Sequence, residues 1–167
     1  KGLGTGTLFA ADMQCKARGT WIHDAIKSMK KRNADALNIL RTNGVTACTD
    51  VTGFGLAGHL YEMMFASKCG VCIKLDDLPT LDGCIKTLRD MGIKSTLHDG
   101  NRQAALRMEE FSHEKFELLF DPQTSGGLIG SVPANSADAC VFELHQAGYD
   151  DAAAVGIVTK GDKFVLN

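Results

Sequence analysis

The feature that most limits what this chain can fold into is the run ACTDVTGFGLAGHL, from Ala47 to Leu60. An acidic residue, Asp50, closes a short apolar segment. A glycine-spaced turn follows at once, and then an apolar pattern at helical spacing. Strand, tight turn and helix start together gather free backbone N–H groups around a position where an anion can sit. Asp50 stands beside that position and supplies a hard oxygen suited to Mg²⁺. The stretch reads as half of a metal–phosphate site.

A second stretch, LLFDPQTSGGLI from Leu118 to Ile129, repeats the logic. Asp121 ends an apolar run, Pro122 sets the chain direction, and Gly126 and Gly127 permit positive φ or close backbone approach. The plain alternative is a simple connection between two strands. The contacts of Gln123, Thr124 and Ser125 stay open at this level. The opening, KGLGTGTLFAA, alternates Gly2, Gly4 and Gly6 and reads as a glycine-rich approach to a strand, with one face bare for another backbone or a ligand.

Periodicity supplies the elements between. Helices are predicted over Gly19–Asn33, Ala34–Arg41, Leu56–Ser67, Leu81–Met91, Asn101–Phe111 and Ala134–Ala147, with polar loop over Ser95–Asn101. Strands are predicted over Val45–Val51, around Val71–Leu75, over Lys115–Phe120 and over Leu128–Val132, with a closing hairpin of Ala152–Lys160 and Lys163–Leu166 about Gly161-Asp162. The coarse order β, α, α, β, α, β, α, α, β, β, α, β, β favours an α+β layered domain over residues 1–167, a mixed β-sheet packed by helices, rather than a doubly wound parallel sheet.

Composition narrows the function classes. With 167 residues, 44% of them hydrophobic, the chain builds a real core. A formal net charge of -2 argues against a general nucleic-acid or anionic-membrane binder. No apolar run approaches the ~20 residues needed to span a bilayer, and no signal peptide opens the chain. The start at Lys1 rather than Met fits a piece of something longer. The six cysteines, at 15, 48, 69, 72, 84 and 140, lie in apolar segments and suit buried thiols in a reducing, cytoplasmic setting. Cys69-Gly70-Val71-Cys72 is a C-x-x-C, but no second ligand pair stands at zinc-finger spacing, and the alternation after it is that of a strand, where a redox pair would open a helix. His59, one turn into its helix beside an apolar stripe, reads as structural, and Met63 and Met64 as core filler.

A nucleoside triphosphate site needs phosphate donors, Mg²⁺ and carboxylates to hold it. The first stretch supplies one carboxylate and a set of donors. The chain has no G-x-x-x-x-G-K-[ST] run, no nucleophile–base pair and no clear adenine platform. One aspartate is a full share of a composite site, because Mg²⁺ keeps water or phosphate for its other positions.

TDVTGFGLAGHL at 49–60 together with LFDPQTSGGL at 119–128 resembles selenophosphate synthetase (selenide, water dikinase), specifically its C-terminal domain, within the AIR-synthetase-like superfamily. The opening resembles that domain's start, usually Lys-Pro-Leu-Gly-Thr-Gly; Gly2 stands here in the proline position. The resemblance implies an enzyme making selenophosphate from ATP, selenide and water, releasing AMP and phosphate, for selenocysteine synthesis. It implies Mg²⁺ and ATP held mainly by an N-terminal domain absent here, a catalytic Cys or selenocysteine and a Lys upstream, and a homodimer in the full-length form. It places the metal-binding Asp at Asp50, with Thr52, Gly53 and Gly55 as the supporting cofactor-binding turn, and no catalytic residue within this chain. The chain alone is then expected to be inactive. The alternatives are another AIR-synthetase-like ATP-using enzyme, or a non-catalytic metal or interaction module using Cys69 and Cys72.

Overall fold

The structure is a computed structural model that describes residues 1–105 and 111–167. Seven α-helices are described: α1 (Thr5–Met13), α2 (Gly19–Lys30), α3 (Ala34–Thr42), α4 (Gly55–Ser67), α5 (Cys84–Met91), α6 (His98–Ala104) and α7 (Ala137–Gln146). The strands are β1 (Ala47–Asp50), β2 (Gly70–Ile73), β3 (Leu128–Ser131), β4 (Gly156–Thr159) and β5 (Phe164–Leu166). β1 and β3 form an antiparallel pair, with Asp50 opposite Leu128. The other three form a mixed sheet in the order β4-β2-β5, antiparallel on one side and parallel on the other. The α+β layering expected from the sequence is what is found.

Apolar faces meet in three clusters. Leu56, Leu60, Val71, Ile73, Phe116 and Phe120 join α4 to the mixed sheet. Leu8, Trp21, Ala25 and Leu88 join α1, α2 and α5. Leu40, Cys140, Leu144 and Tyr149 join α3 to α7. An apolar cavity of about 780 Å³ lies between the layers, lined by Leu3, Val71, Leu128 and Val155 among others.

Four expectations are corrected. The opening segment is not a strand: Leu3 makes one bridge to Thr80, and α1 begins at Thr5. Close approach at its alternating glycines is real, since a Cβ on Gly6 would lie 2.5 Å from the Pro122 carbonyl oxygen and one on Gly4 2.5 Å from Cys84 Cβ. The helix forms because its first N–H groups, which have no intrahelical acceptor, find side chains over 100 residues away. The N–H groups of Gly4 and Thr5 donate to Gln123 Oε1 at 3.1 and 3.3 Å, and that of Gly6 to Asp121 Oδ2 at 3.1 Å.

Residues Phe116–Phe120 form a 3₁₀ turn rather than a strand. A run this short, apolar apart from Glu117, does not declare its period. Here it is wedged beside α4 and α6, with the Phe120 carbonyl accepting from Asn101 Nδ2 at 3.0 Å. The closing segments are also not a hairpin, because β2 lies between β4 and β5 and pairs with both. Helix α6 starts at His98, inside the expected loop; residues 106–110 of the expected helix lie outside the described residues.

Asp121 is fully buried and also accepts from the Thr7 hydroxyl at 2.8 Å and from Gln123 Nε2 at 2.9 Å. Burial raises its carboxyl from 3.8 to about 6, against the hydrogen bonds from Thr7 and Gln123 and the nearby His98. The native state therefore holds a proton that the unfolded chain has released, so this group's contribution to stability falls as pH rises from about 4 to about 6 and is flat above. Asp121→Asn, which can accept from Gly6 N–H and donate to Thr7 Oγ1, is expected to keep the fold and abolish that pH-dependent loss. Asp121→Ala strands the buried Thr7 hydroxyl, at about 1–3 kcal/mol, and takes one of two acceptors from Gly6 N–H and Gln123 Nε2, so it is expected to be destabilised in urea titrations.

Candidate functional site

The site is built where the two glycine stretches meet. Val51 N–H donates to the Gly127 carbonyl at 2.9 Å, and Gln123 N–H donates to the Thr52 carbonyl at 2.9 Å. Gly126 permits this contact, since a Cβ there would lie 1.9 Å from the Val51 carbonyl oxygen. The chain then turns through Gly53 and Phe54, closed by Gly55 N–H donating to the Thr52 carbonyl at 3.0 Å, and enters α4. Gly55 has φ +70°, and a Cβ there would lie 2.7 Å from the Leu119 carbonyl oxygen. Glycine at 55 is therefore explained by backbone conformation and packing. Gly53 is different: it is exposed, and a Cβ there meets nothing within 4 Å.

Asp50 is exposed at the end of β1, two residues before this turn. Thr52 is half-buried, its Oγ1 3.1 Å from His59 Nε2. His59 is buried beside the exposed ring of Phe54, with ring centroids 5.7 Å apart. The structure thus brings Asp50, Thr52, Gly53 and Gly55 into one turn. It adds a residue that periodicity does not reveal: Asn101 Nδ2 donates to both the Gly53 carbonyl at 2.9 Å and the Phe120 carbonyl at 3.0 Å, tying the turn to the 3₁₀ segment. No local signal marks that role, because the contact spans 48 residues.

The other glycine loop is held from its far side. Lys1 Nζ donates to the Ser125 carbonyl at 2.8 Å, and Asn33 Nδ2 to the Gly126 carbonyl at 2.9 Å. Ser125 itself has φ +49°. Thr124 N–H donates to Thr5 Oγ1 at 2.9 Å, while Gln123 Oε1 accepts from the N–H groups of Gly4 and Thr5 at the start of α1. These contacts answer what Gln123, Thr124 and Ser125 touch: they fasten the loop to the chain's opening.

Among the described residues, no three His, Cys, Asp or Glu side chains gather to hold a metal ion. Asp50 offers a single hard carboxylate. That fits one share of a Mg²⁺ site completed by water and phosphate oxygens, and does not fit a self-contained metal centre. A cleft of about 210 Å³ beside the turn, between Phe54, Tyr61, Glu62 and Asn101, is below the roughly 300–1,000 Å³ of a small-molecule pocket. Burial pushes the Cys84 thiol up to about 12, with Asp121 adding to the shift, which leaves it unreactive. Cys69 donates to the Ser67 carbonyl at 3.3 Å, Cys72 Sγ lies 3.5 Å from Asn167 Nδ2 in β2, and both thiols are free.

The family model for the C-terminal domain of AIR synthase related proteins matches residues 1–167. This chain belongs to that family. Within it, the chain is 38% identical over 164 residues to a selenide, water dikinase of Pelobacter propionicus, covering 96% of this chain and 47% of that protein. It is 35% identical over 173 residues to one of Treponema denticola, covering 99% of this chain and 49% of that protein. The chain thus spans about half the length of the curated relatives it matches. Among solved structures, E. coli HypE, a hydrogenase maturation protein, superposes with TM-score 0.70 at 18% identity, covering 99% of this chain and 43% of that one. The thiamine-monophosphate kinase of Stenotrophomonas maltophilia gives TM-score 0.56 at 14% identity, covering 99% and 48%. At those identities the likeness is one of fold alone.

The two glycines of the site separate experimentally. Gly126→Ala drives a Cβ into the Val51 carbonyl and is expected to lower stability by about 1–3 kcal/mol. Gly53→Ala is expected to leave the thermal midpoint unchanged, its Cβ pointing into open space.

Proposed function

We propose that this chain is the C-terminal domain of a two-domain enzyme that makes selenophosphate from ATP, selenide and water, releasing AMP and phosphate for selenocysteine synthesis. The observation that carries the reading is the similarity to selenide, water dikinases at 35–38% identity across nearly the whole chain, both glycine stretches included. HypE and thiamine-monophosphate kinase share the fold at much lower identity, which favours the selenium enzyme over the other ATP-using members.

In this reading Asp50 is the domain's metal ligand, and Thr52, Gly53 and Gly55 form the turn beside the bound Mg²⁺–ATP. Mg²⁺, when bound, screens the phosphate charge. The chain's own part is to hold one carboxylate at a fixed place beside an exposed, side-chain-free turn. Gly53 lets a ligand approach the backbone, Gly55 aims the start of α4, and Asn101 holds the turn in register. The main nucleotide-binding surface, the catalytic Cys or selenocysteine and the Lys belong to an N-terminal domain, and the full-length enzyme is a homodimer. Selenide chemistry and the free thiols suit the reducing cytoplasm. No described helix is long and apolar enough to cross a membrane.

Asp50→Ala in the full-length protein tests the assignment. Because Asp50 is exposed, the thermal midpoint is expected to hold. AMP formation from ATP with selenide is expected to fall about 100-fold, the scale of losing one preorganised electrostatic group. An unchanged rate removes Asp50 from the site. The 167-residue chain on its own is expected to release no AMP from ATP and selenide.

A further inference from the structure

His59 looks like packing until its two ring nitrogens are followed separately. Its side chain is 8% exposed, so both nitrogens need accounting for. Nε2 lies 3.1 Å from Thr52 Oγ1. Nδ1 lies 3.3 Å from Glu62 Oε2, three residues further along α4, and makes no well-formed hydrogen bond. Hydroxyl, imidazole and carboxylate therefore stand in line, from the edge of the turn to a Glu62 side chain that is 65% exposed.

The tautomer is assigned from the neighbours: on the neutral ring the proton goes to the nitrogen that faces Glu62, because an ionised carboxylate only accepts. Nε2 is then an acceptor, and the Thr52 hydroxyl, which has one proton, donates it inward to His59. What Thr52 offers beyond His59 is lone pairs. Phosphate oxygens need donors, whereas Mg²⁺ and the waters it carries need acceptors. The neighbouring Phe54 ring stands against the imidazole.

Resting on the Mg²⁺–nucleotide reading of the turn, we propose that His59 is a positioning residue that locks the Thr52 hydroxyl as an acceptor, so that Thr52 serves the hydrated Mg²⁺ rather than a phosphate oxygen. Glu62 sets the tautomer from behind. Groups that do not themselves ligate a metal but orient its ligands typically cost about 10–100-fold in affinity or activity when removed.

The test uses the full-length protein with a non-hydrolysable ATP analogue, titrating Mg²⁺ by calorimetry, alongside thermal midpoints and steady-state AMP release. His59→Leu and Thr52→Val are each expected to weaken Mg²⁺-dependent analogue binding by about tenfold. The double variant is expected to be no worse than either alone. In steady state the larger effect falls on the Mg²⁺ concentration for half-saturation, not on kcat. His59→Gln, whose amide oxygen can accept from Thr52, recovers most of the loss. A His59→Leu protein with a lowered thermal midpoint and wild-type Mg²⁺ dependence would show a packing role only and overturn the proposal. If His59→Leu does not fold, Thr52→Val decides alone, since it removes the hydroxyl and keeps the shape; unchanged Mg²⁺ dependence there overturns it equally. If wild-type and variants show the expected Mg²⁺ split but no selenophosphate is made, the substrate assignment falls and the positioning role stands.

Discussion

The structure depends on a buried polar latch. Asp121 and Gln123, at the start of the second glycine stretch, cap the N-terminus of α1 by accepting from Gly4, Thr5 and Gly6 N–H. Gln123 also donates to the Asp121 carboxylate and carbonyl, so the two caps orient each other. A helix N-terminus carries orphan donors and partial positive charge, and a carboxyl and an amide oxygen meet both. The same segment reaches the other way: Gln123 N–H holds the Thr52 carbonyl, and Gly127 holds Val51. The opening of the chain, the second glycine stretch and the turn after Asp50 are therefore one unit. The place of the exposed carboxylate is set by residues more than 60 positions away in sequence.

Most elements and the outline of the site are legible in the sequence, because they rest on local signals. The step from β1 through a glycine turn into α4 follows from an apolar run, Asp50 and the spacing of Gly53 and Gly55. The failures share a cause. The alternation of Gly2, Gly4 and Gly6 is real and does serve close packing, but helix α1 is enforced by caps from Asp121 and Gln123, which no local window contains. The FELLF run is apolar apart from Glu117, and its backbone is satisfied in part by Asn101 rather than by a neighbouring strand. The final two strands sit around β2 because the register Val71–Phe164 and Val71–Val158 pairs both with it, a long-range choice that turn chemistry at Gly161 does not reveal. Asp50 and its turn are legible in the sequence as a candidate site; the clamps from Asn101 and Lys1 are not, being side-chain contacts across the fold.

The chemistry of the turn is that of a contributor. It presents one hard oxygen, an open glycine and a hydroxyl, and no three His, Cys, Asp or Glu side chains gather to hold a metal ion among the described residues. Such a surface suits a ligand shared with another domain, where water and phosphate oxygens fill the remaining Mg²⁺ positions. The layered scaffold is shared with HypE and thiamine-monophosphate kinase at 18% and 14% identity, which is a likeness of fold alone.

The central claim is that Asp50 is this domain's ligand to a metal bound with the nucleotide. The most direct measurement is anomalous diffraction from crystals of the full-length protein grown with Mn²⁺ and a non-hydrolysable ATP analogue. The expected result is a Mn²⁺ peak at coordination distance from an Asp50 carboxylate oxygen and from phosphate oxygens of the analogue. Every metal peak held by other residues, with the Asp50 carboxylate free in solvent, would contradict it.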